Sequence, residues 1–402
     1  MKKILIVGGG VNQMPLVQAS KREGYYTIVV DYAGEKCPAY IIADRFYNVS
    51  TQDENAILEV AKKEEVDGII SNSDPSMLIV NSIAEKLGLI GNPVDGIANL
   101  LLKNRFRELQ RQAGVVCPNL FIVDTLSALE DKLSELTYPL VIKPCESSGS
   151  RGTKKINSYD EQIIEEAFAD SKKYSRNGLI VVEEYIEMPS LTTIEGDIFL
   201  YDGEMLWDGF FYTTRSLWAP MVPMTYTAPL LFDHNRMNII TDTLSRLFDA
   251  ADIRFGEYNV EGYFTNTGEF FVLEINARQG GNEIPMFIKT TTGVDMNRLL
   301  ASTAVGDTNY WNYLKTYKRE SHYTIKHLVF SYKEGEYAGL QIDNSIQKHI
   351  TRIVELLKKG DHVDKCVNST NIVAIVDLEF PSYKEQHQIC DRMDELIHVA
   401  IN

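Results

Sequence analysis

Short apolar runs alternate with amphipathic segments along the first part of the chain. The spacing of apolar residues predicts buried strands and surface helices in alternation: strands at 4–7, 27–30 and 68–71, and helices at 15–23, 54–65 and 76–87. Because strands alternate with helices, we expect a doubly wound α/β domain with a parallel sheet over residues 1–93.

The next stretch shows two further units. Residues 94–187 begin with a helical pair at 94–114 and contain strands at 138–144 and 179–186. Residues 188–305 are rich in strands. The change from alternating helices and strands to mostly strands predicts a fold of mixed α/β and α+β class.

The last unit, residues 306–402, has a less regular pattern. We expect strands near 325–332 and 372–380, with helices near 345–358 and 383–398. This unit carries no motif, so it either completes a substrate pocket or forms the face of a homodimer.

The apolar strand at 270–278 ends in polar side chains on one face. Glu274, Asn276 and Arg278 are two residues apart, so they leave the strand on the same side. A carboxylate, an amide oxygen and a guanidinium together suit a hard cation and a phosphate. The same alternation also fits an ordinary half-exposed strand with a surface ion pair.

A second acidic strand at 257–264 precedes this segment. Residues 265–269 form a turn-rich link, so the two strands are expected to pair as a hairpin. Pairing could bring Glu261 next to Glu274, and two close carboxylates repel each other unless a cation lies between them. The hairpin therefore predicts a magnesium site.

Other segments carry groups suited to a nucleotide. Lys143 ends an apolar strand, where its ammonium group can reach a phosphate. The serine- and glycine-rich loop at 147–152 can fold over phosphates through backbone N–H groups, or it is a plain hairpin loop. The run from Glu183 to Ile186 ends a strand and can provide an apolar slot for adenine, or it is a surface turn.

In this order, these motifs resemble the ATP-grasp superfamily of ADP-forming carboxylate–amine ligases. The resemblance covers residues 1–305 and is nearest to the branch of biotin carboxylase, the large subunit of carbamoyl-phosphate synthetase, the purine-pathway carboxylating synthetase and the L-amino-acid ligases. It implies an ATP-grasp fold: a pre-ATP-grasp α/β domain (1–93), linker helices with a lid subdomain (94–187), a metal-binding subdomain (188–305) and a small C-terminal α+β domain (306–402).

The resemblance also implies a role for individual residues. The catalytic roles fall to Arg278 and Lys143. ATP would contact the residues around its phosphates and adenine, namely Lys103, Lys143, Ser147, Ser148, Gly149, Gly152, Glu183, Glu184 and Ile186. Mg²⁺ or Mn²⁺ would be held by Glu261, Glu274 and Asn276. Substrate contacts are expected at the reacting end, from Asp74, Arg215, Tyr226, Arg278, Gly280 and Gly281.

One residue near the ribose departs from the family pattern, and the role of two aromatic segments stays open. Relatives keep a glutamate for the ribose hydroxyls after the hinge, whereas Ser190 stands there in this chain, with Glu195 or Asp197 as the alternative. The aromatic segments at 210–218 and 221–226 either line the acceptor pocket or form a core strand and a packed loop.

The implied activity is the ATP-dependent ligation of a small-molecule carboxylate to an amine. It would proceed through an acyl phosphate and release ADP and phosphate. Two alternatives remain: a bicarbonate-activating enzyme that works through carboxyphosphate, and a non-catalytic ATP-binding regulatory protein. The complete set of Glu261, Glu274, Asn276 and Arg278 argues against the last.

The composition limits the classes of partner that the protein is expected to bind and the compartment in which it is expected to lie. A net charge of −16 leaves no basic face to release counterions, so neither nucleic acid nor an anionic membrane is an expected partner. The five cysteines form no CxxC pair and are expected to be reduced thiols. The chain lacks an apolar stretch of membrane-spanning length and starts with a strand rather than a signal peptide, so we expect it in the cytoplasm.

The opening Gly8-Gly9-Gly10, with Asp31 after the second strand, is a partial match to a dinucleotide fingerprint. Gln13 stands where the third glycine belongs. A tight turn that serves the fold or borders a substrate site is therefore the preferred interpretation.

Overall fold

In the computed structural model, which describes residues 1–146 and 151–402, the N-terminal region is a parallel sheet with helices on both faces. The strand order is β3-β2-β1-β4, with β1 (Lys3–Val7), β2 (Tyr26–Val30), β3 (Arg45–Tyr47) and β4 (Gly68–Ile70). The helices are α1 (Met14–Arg22), α2 (Glu54–Glu64) and α3 (Met77–Leu87). An apolar core covers each face, which confirms the predicted doubly wound domain.

The glycine turn after β1 is closed by Asp31, which follows β2. One carboxylate oxygen accepts the backbone N–H of Gly9 at 2.9 Å, and the other accepts that of Ala33 at 2.8 Å. A Cβ at position 9 would lie 2.6 Å from Sγ of Cys37, so the turn needs glycine for close packing. These contacts favour a role in the fold over a dinucleotide site.

A helical pair and a small antiparallel sheet follow. The helices are α4 (Val94–Leu101) and α5 (Lys103–Gln112). The sheet has the order β5-β8-β6-β7, with β5 (Leu120–Val123), β6 (Leu140–Pro144), β7 (Lys154–Ile156) and β8 (Ile180–Glu184). Its core is completed by α6 (Leu126–Lys132) and α7 (Glu161–Tyr174). The sheet therefore carries the predicted lysine strand and hinge side by side.

An eight-stranded antiparallel sheet forms the centre of the molecule, in the order β13-β12-β9-β10-β11-β14-β18-β16. Its first five strands along the chain are β9 (Thr192–Tyr201), β10 (Glu204–Ser216), β11 (Ala219–Ala228), β12 (Gly256–Phe264) and β13 (Phe270–Asn276). α8 (His234–Ala250) covers one face together with α4 and α5. The other face is covered by α9 (Ile284–Thr292), α10 (Met296–Ala304) and α11 (Asn309–Thr316).

The last unit continues this sheet instead of standing apart from it. It contributes β14 (Tyr323–Val329), β16 (Ile350–Glu355) and β18 (Ala374–Phe380). A separate small sheet has the order β17-β15-β19, with β15 (Gly335–Ile342), β17 (His362–Val363) and β19 (Ile397–Ile401). Two short helices, α12 (Tyr383–His387) and α13 (Met393–Leu396), complete the unit.

The helix expected at 345–358 is wrong, and the helix expected at 383–398 is broken into α12 and α13. β-Branched residues dominate 350–354, and they favour the edge strand β16 over a helix. The second segment ends in the alternating run of β19, which again suits a strand. The strands expected near 325–332 and 372–380 are confirmed as β14 and β18.

Two further findings concern the chain as a whole. Among the described residues, no helix is both long and apolar enough to cross a membrane. Each of the five cysteines is a free thiol, and all but Cys117 are buried.

Candidate functional site

Two rows of polar side chains cross three neighbouring strands of the large sheet. Residues directly opposite each other on paired strands lie on the same face. The first row consists of Glu195 on β9, Glu261 on β12 and Glu274 on β13, and the second of Asp197, Asn259 and Asn276 on the same strands. The predicted hairpin is confirmed, because it sets Glu261 and Glu274 in register.

The rows carry excess negative charge in a buried place. Burial raises the pKa of Glu195 to about 8, and the charge of Glu261 adds to this rise. Burial also raises the pKa of Glu261, with a further contribution from Glu274. The pKa of Glu257 lies well above its usual range because of burial and the neighbouring Asp197. Carboxylates held together in this way favour a cation among them.

One guanidinium of the protein already reaches this cluster. Arg215 from β10 forms a buried ion pair with Glu261 and donates a hydrogen bond to Oγ1 of Thr193 at 2.6 Å. The sequence predicted Arg215 as a substrate ligand, whereas in the structure it offsets the charge of the first row.

The donor set fits Mg²⁺ or Mn²⁺. Asn276 donates its amide N–H groups to Glu274 at 3.2 Å and to Asn259 at 3.3 Å, which leaves its carbonyl oxygen as a metal donor. In residues 1–146 and 151–402, no group of three or more acidic, histidine or cysteine side chains could hold a metal by itself. Mg²⁺ usually takes one or two carboxylates from the protein and completes its shell with phosphate oxygens and water. Glu261, Glu274 and Asn276 suit that role.

Arg278 follows β13 at the edge of the second row. Its guanidinium forms a two-point ion pair with Asp74 of the N-terminal domain, Nε to Oδ1 at 2.7 Å and Nη2 to Oδ2 at 2.8 Å. Asp74, expected to contact a substrate amine, is thus the partner of Arg278. The pair ties the N-terminal domain to the reacting end of the site.

The loop after Arg278 is fixed by the second row. The N–H of Gly280 lies 3.0 Å from both carboxylate oxygens of Asp197, so it has a partner within the protein, and the substrate contact of Gly280 stays a prediction. A Cβ at position 281 would meet nothing within 4 Å, so Gly281 borders open space. Asp197 also accepts from Asn259 at 2.9 Å, which disfavours Asp197 as the ribose ligand in place of Ser190.

The predicted phosphate lysines converge on a buried ion-pair network. Lys143 on β6 pairs with Glu183 on the neighbouring β8, and both oxygens of Glu183 accept from Arg107 on α5, at 2.9 and 3.2 Å. Burial lowers the pKa of Lys143 to about 8 against the opposing effect of Glu183, and the charge of Lys103 lowers it further. The side chain of Glu183 is therefore committed to these cations and not directed at adenine.

The rest of the predicted adenine hinge is held by hydrogen bonds from neighbouring segments of the chain. The carboxylate of Glu184 accepts from the side chain of Asn119 at 2.9 Å and from the backbone N–H of Thr137 at 2.8 Å. The carbonyl of Ile186 accepts from the hydroxyl of Tyr263 at 2.6 Å. The adenine contacts of Glu183 through its carbonyl, and of Glu184 and Ile186, stay predictions.

The predicted phosphate loop is described only in part. Ser147, Ser148 and Gly149 lie outside the described residues. Gly152 has a φ of +70°, and its carbonyl accepts from the hydroxyl of Ser171 on α7 at 2.5 Å. The backbone at this end of the loop is thus anchored to α7, and the role of the loop over phosphates stays a prediction.

The aromatic residues of β10 and β11 lie mostly in the core. Tyr226 is 1% exposed and its ring packs against Phe211, with the centroids 5.0 Å apart. Its hydroxyl accepts from the amide of Asn282 at 3.2 Å. These contacts favour the core-strand interpretation and give Tyr226 a role in holding the loop after Arg278.

A clamp from the last unit was not found in the sequence. Glu283, in the left-handed region with a φ of 61°, accepts from Arg352 of β16 at 2.6 and 2.7 Å. The buried ammonium of Lys326 lies 3.3 Å from Glu283 and 2.7 Å from Asp377. The clamp ties the loop that contains Gly281 to the far strands of the sheet. The clamp could not be predicted because residues 345–358 were expected to form a helix, whereas Arg352 lies on the edge strand β16.

An Arg352→Met variant should be about 1 kcal/mol less stable than the native chain, after discounting a charged hydrogen bond for the partial exposure of both partners. Arg352 lowers the pKa of Glu283, so its contribution is present above the usual glutamate range and is lost as the pH falls below that range through the lowered pKa. Urea denaturation at neutral and at acidic pH measures the difference. Arg392→Met, at an exposed ion pair of the same unit, is the control, and equal midpoints for the two variants would contradict the clamp.

Comparisons with known proteins agree with this architecture. Residues 118–303 match a family model described as the C-terminus of D-ala D-ala ligase, and residues 4–94 match a model described as the PylC-like N-terminal domain. The large chain of carbamoyl phosphate synthase from Archaeoglobus fulgidus is 23% identical over 356 residues, which is 82% of this chain and 31% of that relative. The chain thus spans about a third of the length of this relative.

Solved structures share the whole fold. The L-amino acid ligase from Bacillus licheniformis is similar with a TM-score of 0.81 and 19% identity, over 100% of this chain and 99% of that one. The biotin carboxylase domain of 2-oxoglutarate carboxylase from Hydrogenobacter thermophilus, solved with MgADP and bicarbonate, gives a TM-score of 0.68 and 18% identity, over 99% and 90% of the two chains. The match to a PylC-like N-terminal domain, the match to the D-ala D-ala ligase C-terminus and these structural neighbours confirm the predicted ATP-grasp fold and the resemblance to the ATP-grasp superfamily.

Proposed function

We propose that this protein is an ADP-forming ligase that joins a small-molecule carboxylate to an amine at the expense of ATP. The observation that carries the proposal is the buried row of Glu261 and Glu274, in register beside Asn276 and Arg278. Burial and the neighbouring Glu274 raise the pKa of Glu261, so this pair of carboxylates is unfavourable in a protein that never binds a cation there. A non-catalytic nucleotide-binding protein has no need of this arrangement.

The chemistry follows from the charges. A carboxylate is a poor acceptor for an amine because its oxygen is a poor leaving group, so the acid is first phosphorylated to an acyl phosphate. The amine then displaces phosphate and forms the amide bond. Bringing one anion against another needs positive charge at the transferred phosphoryl group. Arg278 and Lys143 would supply it as a fork and a point charge.

The remaining roles are assigned to groups near these cations. Mg²⁺ held by Glu261, Glu274 and Asn276 would offset charge on the phosphate oxygens and orient them. Lys103 would contact phosphate at the start of α5, on the same side as Lys143. Gly281, which borders open space, would lie along the substrate. An acyl phosphate hydrolyses readily, so the lid sheet would close over the site to exclude water.

A second function is favoured by two of the comparisons. The Hydrogenobacter domain was solved with bicarbonate, and the Archaeoglobus relative is a carbamoyl phosphate synthase. Bicarbonate is also a small carboxylate and could be activated as carboxyphosphate by the same cations. The ligase of Bacillus licheniformis, however, has the higher TM-score and nearly complete mutual coverage. We therefore prefer an amino acid or another small organic acid as the activated substrate.

ADP release in the presence of Mg²⁺ tests the proposal. Purified protein is incubated with ATP and pairs of amino acids and small acids, and with bicarbonate plus an amine in parallel. We expect ADP and phosphate in equal amounts only when an organic acid and an amine are both present. Release with bicarbonate alone in place of the acid would overturn the preference, and ATP binding without any turnover would support a regulatory protein.

The proposal extends to location and assembly. Five free cysteines suit the reducing cytoplasm, where we place the enzyme. Assembly as a homodimer is part of the proposal, and the mass in solution tests it.

A further inference from the structure

Arg107 is a buried arginine to which the proposed chemistry assigns no role. Its side chain is 1% exposed and lies in the middle of α5. Nε and Nη2 donate to the two oxygens of Glu183, and Nη1 donates to the side chain of Gln110 at 2.8 Å and to the carbonyl of Leu273 at 3.2 Å. The guanidinium also lies over the ring of Phe271, 5.2 Å from its centroid.

These contacts join three separate elements. Glu183 belongs to the lid sheet, and Leu273 belongs to β13, one residue before Glu274. A buried arginine is tolerated when its donors are paired, and here each guanidinium nitrogen has a partner. Lysine could not replace Arg107 here, because a single ammonium group cannot donate to both oxygens of Glu183 and also reach the carbonyl of Leu273 on another strand.

We propose that Arg107 is a positioning residue that fixes the ammonium group of Lys143, through Glu183, relative to the metal-binding strand β13. This inference rests on the proposed function, in which Lys143 and Glu274 act on ATP. Arg107 touches neither nucleotide nor substrate in this scheme. It sets the distance between the phosphate lysine on one sheet and the metal carboxylate on the other.

The charged groups around Lys143 predict how nucleotide affinity should depend on pH. Glu183 faces the ammonium from β8, and Arg107 and Lys103 face it from α5. Burial lowers the pKa of Lys143 to about 8, Glu183 opposes that effect, and Arg107 adds to it. Since the protonated amine binds phosphate, nucleotide affinity should be full well below pH 8 and should decline as the pH rises, with a midpoint near pH 8. Removing Arg107 should shift this decline to higher pH, and removing the charge of Glu183 should shift it to lower pH.

The test measures the affinity of the full chain for MgADP by calorimetry, from about pH 6 to about pH 10. Arg107→Met should weaken binding about 10- to 100-fold through loss of positioning and move the midpoint of the decline upward. Arg107→Lys keeps the charge but loses the fork, so its midpoint should stay near that of the native chain while its affinity remains reduced. Glu183→Gln should move the midpoint downward.

Arg111→Met is the matched control, because Arg111 lies one turn further along the same helix in an exposed pair with Glu108. Its affinity and midpoint should be unchanged. If Arg107→Met and Arg107→Lys fold, as judged by circular dichroism, and keep the native affinity and midpoint with only a lower melting temperature, Arg107 is structural and the inference fails. If the native chain binds no MgADP at any pH, the proposed function fails instead.

Discussion

A Glu274→Ala enzyme is expected to produce ADP about a thousandfold more slowly while it keeps its fold. The substitution removes one of the two carboxylates in register on β12 and β13 and leaves Glu261, which already pairs with Arg215. Losing a metal ligand removes several kcal/mol of electrostatic stabilisation, and about 4 kcal/mol corresponds to a thousandfold in rate. Glu274 is half-buried, so its truncation should leave the hairpin intact.

Glu269→Ala is the matched control for this experiment. Glu269 lies in the exposed turn of the same hairpin and accepts a hydrogen bond from Thr267 at 3.0 Å. ADP release is followed in a coupled assay, and binding of Mn²⁺ in the presence of ADP is followed by electron paramagnetic resonance. We expect Glu269→Ala to match the native chain in both measurements. Near-normal ADP production by a folded Glu274→Ala protein would contradict the assignment of Glu274 as a metal ligand.

Periodicity was enough to predict most of the fold. The parallel sheet of residues 1–93 and the hairpin of β12 and β13 are local patterns, since each depends on residues close together in the chain. The expected helix at 345–358 failed because an edge strand with polar outward positions has weak local signals. Its identity is decided by β18, which is some 20 residues away along the chain and provides the partner for pairing.

The candidate site was predictable to the extent that its chemistry is local. Glu274, Asn276 and Arg278 lie on one strand, so their spacing places them together. Glu195 and Asp197 join them only through the pairing of β9 with β12, which no spacing within the chain reveals. The spacing could therefore place Glu274, Asn276 and Arg278 together, but it could not place the carboxylates of Glu195 and Asp197 beside them.

Charge partners were the least predictable feature. The sequence treated Asp74 and Arg215 as groups waiting for a substrate, whereas the structure pairs them with Arg278 and Glu261. Buried charges are costly without partners, so a folded chain satisfies them internally before any ligand arrives. A residue that is predicted to bind substrate must then give up its partner in the protein before it can contact the substrate. This exchange can be tested by experiment.

Asp74→Asn separates the two roles that Arg278 could have. If Arg278 serves mainly to hold the N-terminal domain, Asp74→Asn should reproduce the defect of an Arg278→Met variant, because both break the same two-point ion pair. If Arg278 acts on the phosphoryl group, freeing it from Asp74 should change the rate much less than removing it.

Arg278→Met is expected to lower the rate of ADP formation by about 100- to 1,000-fold, the usual effect of removing one preorganised donor from a developing charge. Arg278→Lys should recover part of this loss, since it restores the charge but not the fork. Asp74→Asn should stay within about tenfold of the native rate, because it leaves every donor of Arg278 in place. Steady-state rates at saturating ATP distinguish these outcomes. Equal losses in Arg278→Met and Asp74→Asn would assign the arginine to the domain interface, and the charge at the reacting end would then have to come from Lys143.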